Sequence, residues 1–232
     1  MNEYYDLPEL IDPALIQRAS QFGSAELADG MKGLGIPQDG CLDASILPID
    51  ENTKMVGTAC TVDTKDGDNF PIHVAIYSGK PGYVLMVDGK GYQETAYMGD
   101  LMGGAAKAVG LEGIVIDGYV RDRLGLKGMN LPVYSRGYMQ RGPKKVGPGR
   151  INVAIQCAGV TVNPGDLVLG DADGVTVVPR DRLEEVLDRA EEKNNYEINR
   201  RKVIAEYEAC KAAGRTPPEL APKWVTDMLA GK

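Results

Sequence analysis

Two short apolar runs dominate the middle of the chain. Tyr83-Val84-Leu85-Met86-Val87 ends at Asp88, and Gly113-Ile114-Val115-Ile116 ends at Asp117. Runs of this length bounded by glycine predict strands buried on both faces. Between them, Asp100 to Val109 predicts a helix stopped by Gly110. Strand, helix and strand within about 35 residues make a βαβ unit, which implies parallel strands and a right-handed crossover. Gly103 and Gly104 each cost that helix roughly 1 kcal/mol relative to alanine, so close packing against the sheet is expected there. Upstream, Asp12-Pro13 reads as a cap and first-turn proline, with Leu15, Ile16 and Ala19 on one helical face. Ser24 to Met31 predicts a second short helix, Met55 to Val62 a strand, Asp63 to Asn69 a polar loop and Pro71 to Ser78 a helix.

Downstream the period shortens. Ile151 to Ile155 and Ala158 to Val162 predict strands, followed by the turn Asn163-Pro164-Gly165-Asp166. Leu167 to Leu169 and Val175 to Val178 then flank a second turn, Asp171-Ala172-Asp173-Gly174. Asp181 and Glu184 have capping-box spacing and open a long charged helix running to about Ala213. The expected fold class is α/β: a βαβ unit and β-hairpins, with helices at both ends. Residues 1–213 are expected to form one domain and residues 214–232 a C-terminal tail.

Composition narrows the function. The 232 residues include 26 Lys+Arg and 33 Asp+Glu, a formal charge of −7, which argues against nucleic acid and anionic membrane as partners. The basic cluster Arg136, Arg141, Lys144, Lys145 and Arg150 is local and reads as a solvated loop. Four scattered cysteines suit reduced thiols better than a disulfide framework or zinc site. A cytoplasmic protein is expected, because Met1 to Leu10 lacks the features of a signal peptide and no apolar run approaches the ~20 residues of a membrane span. The 29 glycines bracket apolar runs, as in a chain with many tight turns.

The βαβ unit is the natural place for chemistry, because parallel strands present their C-terminal ends on one edge. One strand leads into Gly99-Asp100-Leu101-Met102, a helix start whose free N–H groups favour a carboxylate. The other ends near Arg121-Asp122. Arg121 can grip a carboxylate or enolate oxygen, and Asp122 offers oxygen to a hard cation such as Mg²⁺ or Mn²⁺. From residues alone, a surface ion pair and a simple helix cap are the more ordinary explanation of these positions. No G-x-G-x-x-G or Walker sequence is present, and the single histidine, His73, reads as a packed or partly exposed side chain. Asp171 and Asp173 need no role beyond their turn.

Gly99-Asp100-Leu101-Met102, then Gly110-x-x-Gly113-Ile-Val-Ile-Asp117-Gly118-x-x-Arg121-Asp122, resembles the RraA-like family. Leu27-Ala28-Asp29, Gly57-x-Ala59-x-Thr61-Val62, Pro132-Val133-Tyr134-Ser135-Arg136 and the two aspartate-rich turns extend the likeness to roughly residues 20–200. This family holds 4-hydroxy-4-methyl-2-oxoglutarate / 4-carboxy-4-hydroxy-2-oxoadipate aldolases and regulators of ribonuclease E activity. The resemblance implies a swivelling β/β/α sandwich assembled as a homotrimer or homohexamer, with sites between subunits. It also implies a metal-dependent lyase that cleaves a 4-hydroxy-2-oxo acid to pyruvate and decarboxylates oxaloacetate. Arg121 and Asp100 would be catalytic, Gly99 to Met102 with Arg121 would bind substrate, and Asp122 would hold Mg²⁺, Mn²⁺ or another divalent cation. An acid on a neighbouring subunit's C-terminal helix, such as Glu197, is implied without being assigned. The alternative is a non-catalytic regulator acting through protein–protein binding. The Arg136 to Arg150 loop stands where it can line the substrate entrance.

Overall fold

The computed structural model describes residues 2–231. The chain opens with β1 (Glu3–Tyr4), α1 (Pro13–Ala19) and α2 (Ser24–Met31). As the Asp12-Pro13 pair predicts, the Asp12 carboxylate accepts the Ala14 N–H at 2.7 Å and starts α1. Next come β2 (Leu47–Pro48), β3 (Met55–Thr64), α3 (Phe70–Tyr77) and β4 (Tyr83–Met98). Then follow α4 (Asp100–Val109), β5 (Gly113–Val120), α5 (Arg123–Lys127) and β6 (Val133–Tyr138). The hairpin region supplies β7 (Gly149–Ile151), β8 (Ile155–Cys157), β9 (Val160–Val162), β10 (Leu167–Asp171) and β11 (Gly174–Val178), before α6 (Leu183–Ala212) and α7 (Lys223–Leu229).

Among the described residues one nine-stranded mixed sheet runs β1-β7-β3-β4-β5-β6-β2, with β10 and β11 added to the start of β3. Its centre is the expected parallel unit: β3 pairs with β4, β4 with β5, and β5 with β6, all parallel. One face of the sheet packs under α3 and α4 through residues such as Leu85, Ile114, Ile72 and Ala106. The other face packs on the β8–β9 hairpin through Met86, Val115, Tyr134 and Val162. A third cluster joins α1, α2 and the start of α6 to β10 and β11. There α2 lies so close to α6 that a Cβ on Gly30 would stand 2.7 Å from the Val186 carbonyl.

Four local expectations change. Gly103 packs against Leu126 of α5 and against Met129 rather than the sheet, and nothing stands within 4 Å of a Cβ on Gly104. The apolar run at Tyr83 continues as strand to Met98, where a loop was expected. Its pairing with β5 slips at three places between Val87 and Met98, and Lys90 and Gly91 take positive φ, so the strand bulges and its outer residues turn polar. Tyr97 holds the bulge. Its hydroxyl donates to the Gly89 carbonyl at 2.8 Å and accepts the Gly67 N–H at 3.1 Å. The expected strand over Ile151 to Ile155 is split, with β7 ending against β3 at Ile151 and β8 starting a separate hairpin at Ile155. At the long helix, Arg180–Arg182 forms a 3₁₀ turn and Asp181 does not cap, so α6 begins at Leu183.

The first turns of α6 are buried at Leu183, Val186, Leu187 and Ala190; farther on, Tyr196, Ile198 and Ile204 are exposed, and Cys210 near the C-terminal end is buried again. Glu197 pairs with Arg201 at 2.9 Å on the same helix. All four cysteines are free, and burial pushes the Cys60 thiol up to about 12. Among the described residues no helix is long and apolar enough to cross a membrane.

Candidate active site

The loops after β4 and β5 meet at the C-terminal edge of the parallel strands. Met98 and Val120 are neighbours in the sheet, and the Arg121 N–H donates to the Met98 carbonyl at 3.0 Å. That register brings Gly99, the first residue after β4, against Arg121 and Asp122, the first two after β5. Asp122 Oδ2 accepts from the Asp100 N–H at 3.4 Å and lies 3.5 Å from Arg121 Nε. The approach depends on glycine, because a Cβ on Gly99 would fall 2.1 Å from Asp122 Oδ2. Asp122 itself has φ 57 and ψ 45, a left-handed conformation costly for a residue with a side chain.

The cleft so formed holds about 270 Å³. It is lined by Gly99, Asp100, Leu101 and Met102 from the start of α4, and by Arg121 and Asp122. All six expected site residues therefore share one cavity. The side chains of Arg121 and Asp122 are 45% and 40% exposed, open to a ligand. The Arg121 guanidinium lies against Gly142, whose Cβ would stand 3.2 Å from Nη1. The Asp100 carboxylate leans towards α5, where a Cβ on Gly125 would meet Oδ2 at 2.9 Å. Gly99 has no side chain with which to cap the helix; Asp122 takes the Asp100 N–H, which leaves those of Leu101 and Met102 for an anion.

The opposite wall comprises Asn69 and His73 of the α3 start, with Pro143 and Lys145 of the long loop. The sequence pattern points to no chemistry at Asn69 or His73 and to a solvated Lys145, although the loop that carries Lys145 is expected at the entrance. The signal for Asn69 was its position just before a helix. Its amide Nδ2 donates to the Tyr97 carbonyl at 2.8 Å and to Met102 Sδ at 3.2 Å, joining α3, β4 and α4. The His73 imidazole is held below its ordinary pKa by burial and then by the charge of Lys145.

Other polar candidates serve the fold. Asp171 caps α2, accepting from Ser24 N and Oγ, both at 2.7 Å. Asp117 binds Arg136 and the Ala158 N–H, and Asp29 pairs with Lys193 at 3.1 Å. Arg150 is neutralised by Asp63. Among the described residues no three His, Cys, Asp or Glu side chains gather as a metal cage. A cation such as Mg²⁺ keeps several waters and needs only one or two carboxylates plus substrate oxygens. Asp122 fits that demand, whereas a closed zinc site does not.

Comparisons with known proteins bear on the family and the fold. A family model described as RraA-like, Aldolase/RraA, matches residues 24–177. A putative 4-hydroxy-4-methyl-2-oxoglutarate aldolase from Halalkalibacterium halodurans is 42% identical over 165 residues, 71% of this chain and 79% of its own. Among solved structures, Streptomyces coelicolor RraAS2, an unusual member of the RNase ES inhibitor RraA family, superposes with a TM-score of 0.75 at 26% identity. That match covers 85% of this chain and 98% of the other. The RNA-processing inhibitor RraA from Thermus thermophilis gives a TM-score of 0.57 at 27% identity, over 60% of this chain and 84% of its own. The chain belongs to the RraA-like family.

Proposed function

We propose that this protein is a divalent-metal-dependent aldolase that cleaves a 4-hydroxy-2-oxo acid and releases pyruvate. The observation that carries this reading is the meeting, in one cleft, of the glycine-led start of α4, the Arg121 guanidinium and the open Asp122 carboxylate, whose backbone is left-handed. The N–H groups of Leu101 and Met102 take the substrate's 1-carboxylate, favoured by the helix dipole. Arg121 donates to the 2-oxo oxygen and stabilises the charge that develops as the C3–C4 bond breaks. The electron pair of that bond moves towards C2, giving the pyruvate enolate. Asp100 receives the C4 hydroxyl proton through a water, and the C4 fragment leaves as a carbonyl compound. A proton returned to C3 completes pyruvate. Asp122 would hold Mg²⁺ or Mn²⁺, which when bound supplies Lewis-acid polarisation of the 2-oxo group. The same bond cleavage in oxaloacetate, with C4 leaving as CO₂, gives a decarboxylase.

Assembly belongs to the same reading. Leu101 and Leu124, 88% and 85% exposed, flank the two carboxylates of the cleft. Leucines this open beside a site fit burial by a second subunit, in a homotrimer or homohexamer. Sedimentation velocity checks this, and a monomer at micromolar concentration overturns it.

The activity test is pyruvate release from 4-hydroxy-4-methyl-2-oxoglutarate and from oxaloacetate, with Mg²⁺ or Mn²⁺ and with EDTA. Activity should vanish with EDTA and with Asp122→Ala. Activity surviving both would overturn the metal-dependent mechanism. Absence of turnover on any 2-oxo acid would favour a non-catalytic regulator.

A further inference from the structure

A second cavity, of about 550 Å³ against 270 Å³ for the cleft, lies behind α3. The two share no lining residue. The start of α3 gives Asn69 and His73 to the cleft, whereas Val74 and Ala75 give onto the second cavity. Its outer wall is an N-terminal strap, residues 4–7, and its volume lies within the ~300–1,000 Å³ of small-molecule sites.

The strap is held by its backbone. Tyr4 pairs with Ile151 in the sheet, and the Tyr5 N–H donates to the Ile151 carbonyl at 3.2 Å. Asn152 Nδ2 donates to the carbonyls of Tyr5 and Asp6 at 3.1 and 3.0 Å, and the Tyr83 hydroxyl donates to the Pro8 carbonyl. The side chains are less committed. Tyr4 and Tyr5 are 37% and 60% exposed, although both line the cavity, as Tyr83 does. A fixed backbone carrying open aromatic side chains is a preformed enclosure, which spares a ligand the cost of ordering it.

Two opposite charges line the same space. Asp6 stands on the strap, and Lys80 follows α3 on the other wall. Among the described residues neither forms an ion pair, whereas Lys90, Arg136 and Arg150 are all paired with aspartates. A simple anion would gain at Lys80 and lose at Asp6, and a simple cation would do the reverse. A zwitterion satisfies both, and the flexible lysine stem lets the ammonium reach it. Between the charges the lining is aromatic and apolar, with Leu7, Val74 and Ile151 beside the tyrosines.

We infer that this cavity is a binding site for an aromatic amino acid, held by its ring among the tyrosines, by its carboxylate at Lys80 and by its ammonium at Asp6. The site is separate from the cleft and stands whether or not the aldolase reading does.

Calorimetry with L-phenylalanine tests this against three analogues that each lack one part. Phenethylamine lacks the carboxylate, 3-phenylpropanoate lacks the ammonium and L-alanine lacks the ring. Wild type should bind L-phenylalanine at millimolar concentration or below, and each single-charge analogue about fivefold more weakly. L-Alanine should bind at least about tenfold more weakly, for want of the buried ring. Lys80→Met should erase the preference over phenethylamine alone, and Asp6→Asn the preference over 3-phenylpropanoate alone. Both side chains are exposed, so both variants should keep the wild-type Tm. Arg121→Ala should leave L-phenylalanine binding unchanged. The inference is overturned if wild type does not bind L-phenylalanine at millimolar concentration, or if either charge substitution changes all the ligands equally or none. Loss of binding in Arg121→Ala overturns it too, because the amino acid would then sit in the cleft.

Discussion

Two arginine–aspartate pairs begin within four residues of each other on the same strand end, and they are built for opposite purposes. Asp117 is buried, with a side chain 7% exposed; one oxygen takes Arg136 and the other accepts the Ala158 N–H at 2.7 Å. Arg136 in turn donates to Ser45 Oγ at 2.6 Å. That pair leaves few valences free, and it ties β5 to β6, to the loop before β2 and to the β8–β9 turn. Arg121 and Asp122 are more than a third exposed, stand 3.5 Å apart, and include a backbone in the left-handed region. A structural pair spends its hydrogen bonds on protein, whereas this second pair keeps them for a ligand.

The comparison breaks most visibly if one member of each pair is removed in turn. Arg121→Ala should lower kcat/KM for pyruvate release by about 10²–10³, the usual loss on deleting a group that stabilises developing negative charge. Its unfolding free energy should move by less than about 1 kcal/mol, since exposed pairs contribute little. Asp117→Ala should do the reverse. Leaving Arg136 half-buried without its partner costs about 3 kcal/mol, readable by urea denaturation. Equal stability losses for the two variants would erase the distinction.

Gly99→Ala is a sharper probe of the second pair, because it alters neither charge. Its Cβ would stand 2.1 Å from Asp122 Oδ2, so the carboxylate must move. Activity should fall by about tenfold to a hundredfold, since displacements near 1 Å carry that cost. Raising Mg²⁺ should restore part of the loss if the displaced group is a metal ligand. A variant with wild-type activity at limiting Mg²⁺ would remove Asp122 from that role.

Much of this was legible in the sequence, for identifiable reasons. The central strands announce themselves because both of their faces are apolar, and the βαβ unit places Gly99 and Asp122 on one edge whatever the side chains do elsewhere. The outer half of β4 was not legible, because its bulged residues face water and spell a loop. Nor was the wall made by Asn69, His73 and Lys145. Asn69 and Lys145 are 76 positions apart in sequence, and what joins them is the Asn69 N–H bonded to the Lys144 carbonyl. A contact of that kind leaves no periodicity to read.

Strain offers a smaller effect of opposite sign. Asp122 holds φ 57, which glycine adopts freely. Asp122→Gly should therefore raise stability by about 0.5–1 kcal/mol while abolishing activity. For a chain of this size that is a rise of about 1–4 °C in Tm. A destabilised Asp122→Gly would mean that the carboxylate supports the fold, as Asp117 does.

The smallest effect concerns His73, which faces the open pair across the cleft. Burial, and after it the Lys145 charge, hold its imidazole below the ordinary value of 6.5, so the fold favours the neutral ring. A group with a depressed folded pKa contributes stability above its unfolded value and loses it as pH falls through the folded one. His73 should therefore make the protein more acid-sensitive below about pH 6.5, where the unfolded chain takes up the proton first. In His73→Gln the drop in Tm between about pH 7.5 and about pH 5.5 should be smaller than in wild type. Lys145→Met should shift the same drop part of the way, because it removes only the lesser of the two causes. If His73→Gln leaves the drop unchanged, the ring feels neither burial nor Lys145, and the two walls of the cleft are not electrostatically joined.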